Sequence, residues 1–130
     1  MKKAFLLLLL CISFSCADND MGTHGTVNLK RDGCFDKFES DARICLDSIV
    51  NDSRCPTGVV CVWEGDAVAA FTFTKNNTVR SFKLHTNSKF QNDTILEGFT
   101  IQLVQIIPYP ISDQTIDPDD YRAEINVVEN

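Results

Sequence analysis

The sequence predicts an all-β fold: an antiparallel β-sandwich or small barrel of about six or seven strands, stapled by disulfides. Three observations lead there. Apolar residues recur at every second position, and no stretch keeps a helical period. Clusters of Gly, Pro, Asn and Asp break that alternation at short intervals. Cysteines 34, 45, 55 and 61 fall within the alternating region, and four is a number that pairs completely.

Taken in order, the chain opens with a leader. Lys2 and Lys3 precede an apolar run of about eleven residues from Ala4 to Phe14, the length of a signal-peptide core and short of the ~20 that a spanning helix needs. Two readings of its end stay open. Ser13-Phe14-Ser15-Cys16 is similar to a lipobox, with Ser13 where Leu is usual; cleavage before Cys16 would leave it to carry diacylglycerol and a palmitate-type acyl chain. Alternatively, Ser15-Cys16-Ala17 is an ordinary small-x-small site, cut after Ala17. Acidic residues directly after Cys16 resemble the export signal that sends Bacteroidota lipoproteins to the outer cell surface. The expected organisation is therefore a signal peptide over 1–15, a flexible acidic tether over 16–25 and a single β domain over 26–130.

Strands are expected at Thr26–Lys30 and Arg43–Val50. From Val59 to Phe73 every odd position but Gly65 is apolar, which reads as one long inward face including Cys61, Trp63 and Phe71. The sixteen residues from Val59 to Thr74 at ~3.3 Å each would reach roughly 53 Å, so a bend is expected at Glu64-Gly65. Lys75-Asn76-Asn77 turns the chain into Val79–His85, with Phe82 and Leu84 inward. Phe99, Ile101, Leu103 and Ile107 share the face of a further strand that Pro108-Tyr109-Pro110 stops, because proline cannot donate to a ladder. Tyr121, Ala123, Ile125 and Val127 line the last.

Four cysteines in an exported chain default to disulfides, with three pairings open. Cys55–Cys61 closes a short loop through Pro56 and Gly58, which leaves Cys34 for Cys45. A zinc site fits poorly, since five residues separate Cys55 from Cys61 and no histidines stand at paired spacing. Asp113, Asp117, Asp119 and Asp120 crowd one loop without a calcium-loop spacing. No metal or other cofactor is expected.

Charge excludes one class of partner. Acids outnumber bases 18 to 12; loss of Lys2 and Lys3 with the leader leaves 10 bases and a net charge near −8. Nucleic acid needs clustered Lys and Arg, and none cluster here.

The run from Asn51 to Ala67, NDSRCPTGVVCVWEGDA, resembles the D-S-R-C-P…C-x-W-x-G-x-A signature of small Bacteroidota-type lipoproteins, and Pro108-Tyr109-Pro110 with Tyr121-Arg122-Ala123 resembles their C-terminal half. The resemblance covers about 43–128 and implies no particular chemistry. The residues themselves suggest Trp63 as core beside the Cys55–Cys61 staple, and Arg54 as a partner for Asp52, Glu64 or Asp66. The competing reading is a contact surface in which Asp52, Arg54, Trp63 and Glu64 meet a ligand. Glu64 and Asp66, at i and i+2, are expected on one strand face ~6–7 Å apart, where acids are usually just solvated. His24 and His85 have no nucleophile at a telling spacing. Thr94, in an Asp-Thr-Ile tripeptide near a predicted loop, is a candidate O-glycosylation site.

The resulting expectation is a non-enzymatic lipoprotein, a binding or accessory module held to the membrane by its lipid, facing a protein or glycan at the outer cell surface or in the periplasm. One alternative is a secreted protease inhibitor presenting Pro56–Val60; another is an enzyme of unrecognised type.

Overall fold

The computed structural model describes residues 25–36 and 38–130. The expected leader, Cys16 and the tether up to His24 lie outside the described residues. Two antiparallel four-stranded sheets face each other as an open sandwich, not a closed barrel. Among the described residues the strands are β1 (Thr26–Lys30), β2 (Cys34–Phe35), β3 (Ala42–Asp52), β4 (Ala67–Lys75), β5 (Thr78–His85), β6 (Asp93–Leu96), β7 (Phe99–Ile107) and β8 (Arg122–Glu129). One sheet runs β1-β8-β7-β6 and the other β2-β3-β4-β5. The short β2 and β6 bring the count to eight, above the six or seven expected.

Alternation puts one face of each strand inside. Ile44, Leu46, Phe71, Phe73 and Leu84 from one sheet meet Phe99, Ile101, Ile106, Ile125 and Val127 from the other, all fully buried. Two tight hairpins set the register. Asn76-Asn77 and Glu97-Gly98 hold positive φ at both turn positions, the primed geometry that matches strand twist.

Both expected disulfides are present. Cys34 lies directly opposite Cys45 across β2 and β3, with Cα atoms 4.0 Å apart. Cys55 joins Cys61 over 5.9 Å between Cα atoms.

Two alternation readings need correction. The inward run from Val59 is not one bent strand: β4 begins only at Ala67, and residues 53–66 form an irregular β3–β4 connection. Gly65 does turn the chain, with φ +74° and Ser53 O only 2.0 Å from where a Cβ would stand. Upstream of that turn no ladder exists to impose a two-residue parity, so Val59 and Trp63 face solvent rather than the core. In β7 a bulge between Leu103 and Gln105 shifts the register, burying Ile106 and turning Ile107 outward. Thr94 sits half-buried as the second residue of edge strand β6, next to the β5–β6 connection.

Candidate functional site

The β3–β4 connection crosses one end of the sandwich and is fixed from two sides. On the first, Arg54 is buried and grips Asp52: Nε donates to Oδ1 at 2.8 Å and Nη2 to Oδ2 at 2.6 Å. The same guanidinium reaches the other sheet, donating from Nη1 to Ile106 O and from Nη2 to Pro108 O at 3.0 Å. It also lies 4.9 Å from the centre of the Tyr109 ring. Tyr121 completes the cluster, its hydroxyl donating to Asp52 Oδ2 at 3.0 Å. Burial alone would push the Asp52 carboxyl up, but hydrogen bonds and charge from Arg54, helped by Tyr121, hold it below the usual range. Burial, then the bond to Asp52, pushes the Tyr121 phenol up.

On the second side, Asp66 is buried beside His85, whose Nδ1 lies 2.6 Å from Asp66 Oδ2. Asp66 Oδ1 accepts from Asn87 N–H at 3.0 Å and from the Thr86 hydroxyl at 3.3 Å. Asn87 in turn donates from Nδ2 to Gly65 O at 3.0 Å. These bonds tie the base of the connection to the β5–β6 crossover.

Between the two fixings the backbone is pinned by Cys55 N–H to Glu64 O at 3.1 Å and Ser53 N–H to Asp66 O at 2.7 Å. Thr57 bridges to Ile111, donating to Pro110 O at 2.9 Å while its own carbonyl accepts from Ser112 N–H at 3.1 Å. With the Cys55–Cys61 staple this leaves a fixed tip whose apolar side chains point outward. Val60 and Val62 are wholly exposed, Trp63 is 53 % exposed, and Val59, Tyr109 and Ile111 are each about half exposed. Tyr109 lines one shallow depression with Arg54, Glu64 and Gly65, which joins the two sides of the tip.

The sequence-predicted site residues therefore separate. Of the ligand-contact candidates, Arg54 is buried and Asp52 is partly buried, and the two are spent on one another, with Arg54 also taken up by two carbonyls. Arg54 pairs with Asp52 rather than with Glu64 or Asp66. Glu64 is exposed and 3.7 Å from Lys89, while Asp66 is buried, so the two acids do not share a face; the Gly65 turn separates them. Trp63, expected in the core, belongs to the exposed tip. Of the aspartates in the β7–β8 connection, Asp117 accepts from Asp119 N–H at 2.9 Å and Asp119 lies 3.4 Å from Arg31. Among the described residues no three His, Cys, Asp or Glu side chains gather as metal ligands.

Two features were not legible. The Asp66–His85 pair joins residues 19 apart, and nothing in their spacing announces it. Its carboxylate orients the imidazole, as in hydrolase triads, but the adjacent Thr86 hydroxyl donates to Asp66 and accepts from Ala67 N–H at 2.9 Å. Ser81, on the same face of β5, is four residues away, ~13 Å along a strand. The second feature is the contribution of Tyr109 and Ile111 to the tip; the prolines around Tyr109 were the one available signal. Comparison with family models, with curated proteins and with solved structures gives no match for this chain.

Proposed function

We propose that this protein is a non-enzymatic exported lipoprotein whose β domain is a binding or accessory module, displayed at the outer cell surface or in the periplasm and using the Val59–Trp63 tip to contact its partner. The observation that carries this reading is the exposure of Val60 and Val62 on a backbone held by a disulfide and two buried polar clusters. Isolated exposed apolar residues are ordinary, but several gathered at one place characterise interaction surfaces. Holding them rigid reduces the ordering entropy that binding costs. The leader pattern ending at Cys16 and the paired cysteines support export and anchoring, and the resemblance of residues 51–67 to Bacteroidota lipoproteins fits the same picture.

Cys16→Ser in producing cells tests the anchor: the protein should move from the detergent phase to the soluble fraction. An unmodified N-terminus at Asp18, found by mass spectrometry, would reject lipidation.

The second reading, a protease inhibitor, draws on the staple beside Val60. Bends at Val59 and at Val62-Trp63 interrupt the extended backbone that a substrate-like loop would need. Titration against elastase, chymotrypsin and trypsin separates the two: stoichiometric inhibition of any one favours the inhibitor.

A further inference from the structure

Besides the tip, two hollows on the sandwich surface could hold a ligand. The depression beside Asp47, Ser81, Lys83 and His85 on the outer face of β4 and β5 is shallow and open, with no buried side chain left unpaired in it. The hollow around Asp36, Asp41 and Asn76 holds the unpaired Ser40 hydroxyl, but Asp36 is already paired with Arg43 at 3.1 Å. The tip carries more, because its surroundings specify what can sit on it.

We infer that the tip docks a protein partner presenting an apolar pocket rimmed by basic side chains, at the end of the domain away from the tether. This rests on the binding-module reading and names the chemistry of its partner. Three observations select that occupant.

The first is charge. From Val59 to Asp66 and from Pro108 to Tyr121 the chain contains no Lys or Arg at all. Glu64 follows Trp63 directly, and Asp113 follows Ser112, whose Oγ would lie 3.1 Å from a Cβ at Gly58. Asp117, Asp119 and Asp120 continue the same connection. Lys89 near Glu64, Arg31 near Asp119, and Lys30 and Arg122 at the same end of the sheet offset part of this charge. An apolar centre with an acidic margin is complementary to a basic rim, and like charge opposes a second copy of the same surface.

The second is direction. Thr26 of β1 is level with Asn126 of β8 and Gln102 of β7, whereas Lys30 is level with Arg122 and Ile107, next to Pro108. β1 therefore runs toward the tip, and the tether joins the domain four residues, ~13 Å, further from it. A lipid at Cys16 would place the membrane on the tether side and present the tip outward. Acidic margins also disfavour contact with the anionic groups of a bilayer surface.

The third is rigidity. Arg54 and Asp66 fix both ends of the connection, so the tip is shaped before any partner arrives. That suits insertion of Val60, Val62 and Trp63 into a formed pocket, where buried aromatic anchors carry most of the binding energy.

The test places a photo-crosslinking phenylalanine analogue at position 60 or 62 of the full chain in intact producing cells. Positions 79 and 95, exposed apolar sites elsewhere on the domain, serve as controls. The expected result is one protein adduct from 60 and 62 and none from 79 or 95. That adduct should fall about fivefold in the Glu64→Gln/Asp113→Asn variant and fall again when salt is raised. Asn keeps the left-handed backbone that Asp113 adopts at φ 62°, and an unchanged melting curve confirms that this variant folds. An adduct insensitive to both charge changes overturns the basic rim while leaving the binding module standing. A lipid adduct, or one between two copies of this chain, overturns the protein partner. No adduct from either tip position overturns the binding reading itself.

Discussion

Arg54 and Asp52, two residues apart, form a buried bidentate pair that also locks one sheet to the other. The guanidinium holds the Asp52 carboxylate at 2.8 and 2.6 Å and simultaneously caps the carbonyls of Ile106 and Pro108, more than fifty residues away. An exposed pair of the same composition would contribute little. Here the end of β3 is tied to the end of β7, at the point where the β3–β4 connection departs.

Arg54→Met leaves the Asp52 charge buried without its partner. Unfolding by denaturant should show a loss of about 3–5 kcal/mol. Adding Asp52→Leu removes the orphaned charge and should restore part of that loss, because neighbouring effects of this kind are not additive. If the double variant lost the plain sum of two single losses, the pair would not be acting as a unit.

The same pair sets an acid dependence. Asp52 titrates below its ordinary value of 3.8 in the folded protein, because Arg54 and Tyr121 outweigh burial. Its contribution is therefore present in full above the unfolded pKa and is lost as pH falls through the lower folded value. The stability advantage of the wild-type protein over Arg54→Met/Asp52→Leu should shrink on acidification below pH ~4. An advantage that grew toward acid would contradict this sign.

Gly65 should tolerate no side chain. It combines φ +74° with a backbone oxygen 2.0 Å from the Cβ position, whereas Gly98, at φ +85°, has open space around it. Gly98→Ala should cost about 1 kcal/mol for its backbone conformation alone. Gly65→Ala should cost well over about 2 kcal/mol, since the chain must also shift. Equal melting temperatures for the two variants would remove the close approach from this account.

What could be read from the sequence depended on whether a ladder was present to enforce alternation. Leu84, Phe99, Ile101, Ala123 and Ile125 were legible because each lies in a paired strand with one buried face. The disulfides were legible because short loops leave few partners. Trp63 was misread because parity was carried past Gly65 into a segment with no neighbouring strand. Ile107 was misread for a smaller reason, a single bulge that moves Ile106 inward. Of the tip, the motif residues Val59–Trp63 were visible but their direction was not, while Tyr109 and Ile111 reach it only through the fold.

The exposure of Trp63 reverses the usual expectation for a tryptophan. Trp63→Ala should leave stability within about 0.5 kcal/mol, as surface changes do. Phe71→Ala, at a fully buried position stacked 5.4 Å from Phe82, should cost about 3–5 kcal/mol. Thermal melts of the two variants side by side would distinguish a surface ring from a core ring.

Trp63 is the sole tryptophan in the chain, so its fluorescence reports the tip without interference from another indole. Quenching of the folded, oxidised protein by acrylamide is the most direct measurement of whether the tip stands open to solvent. The account predicts red-shifted emission quenched almost as readily in the folded protein as after denaturation. Blue-shifted emission protected from acrylamide would place the ring in the core, and the binding tip would not exist.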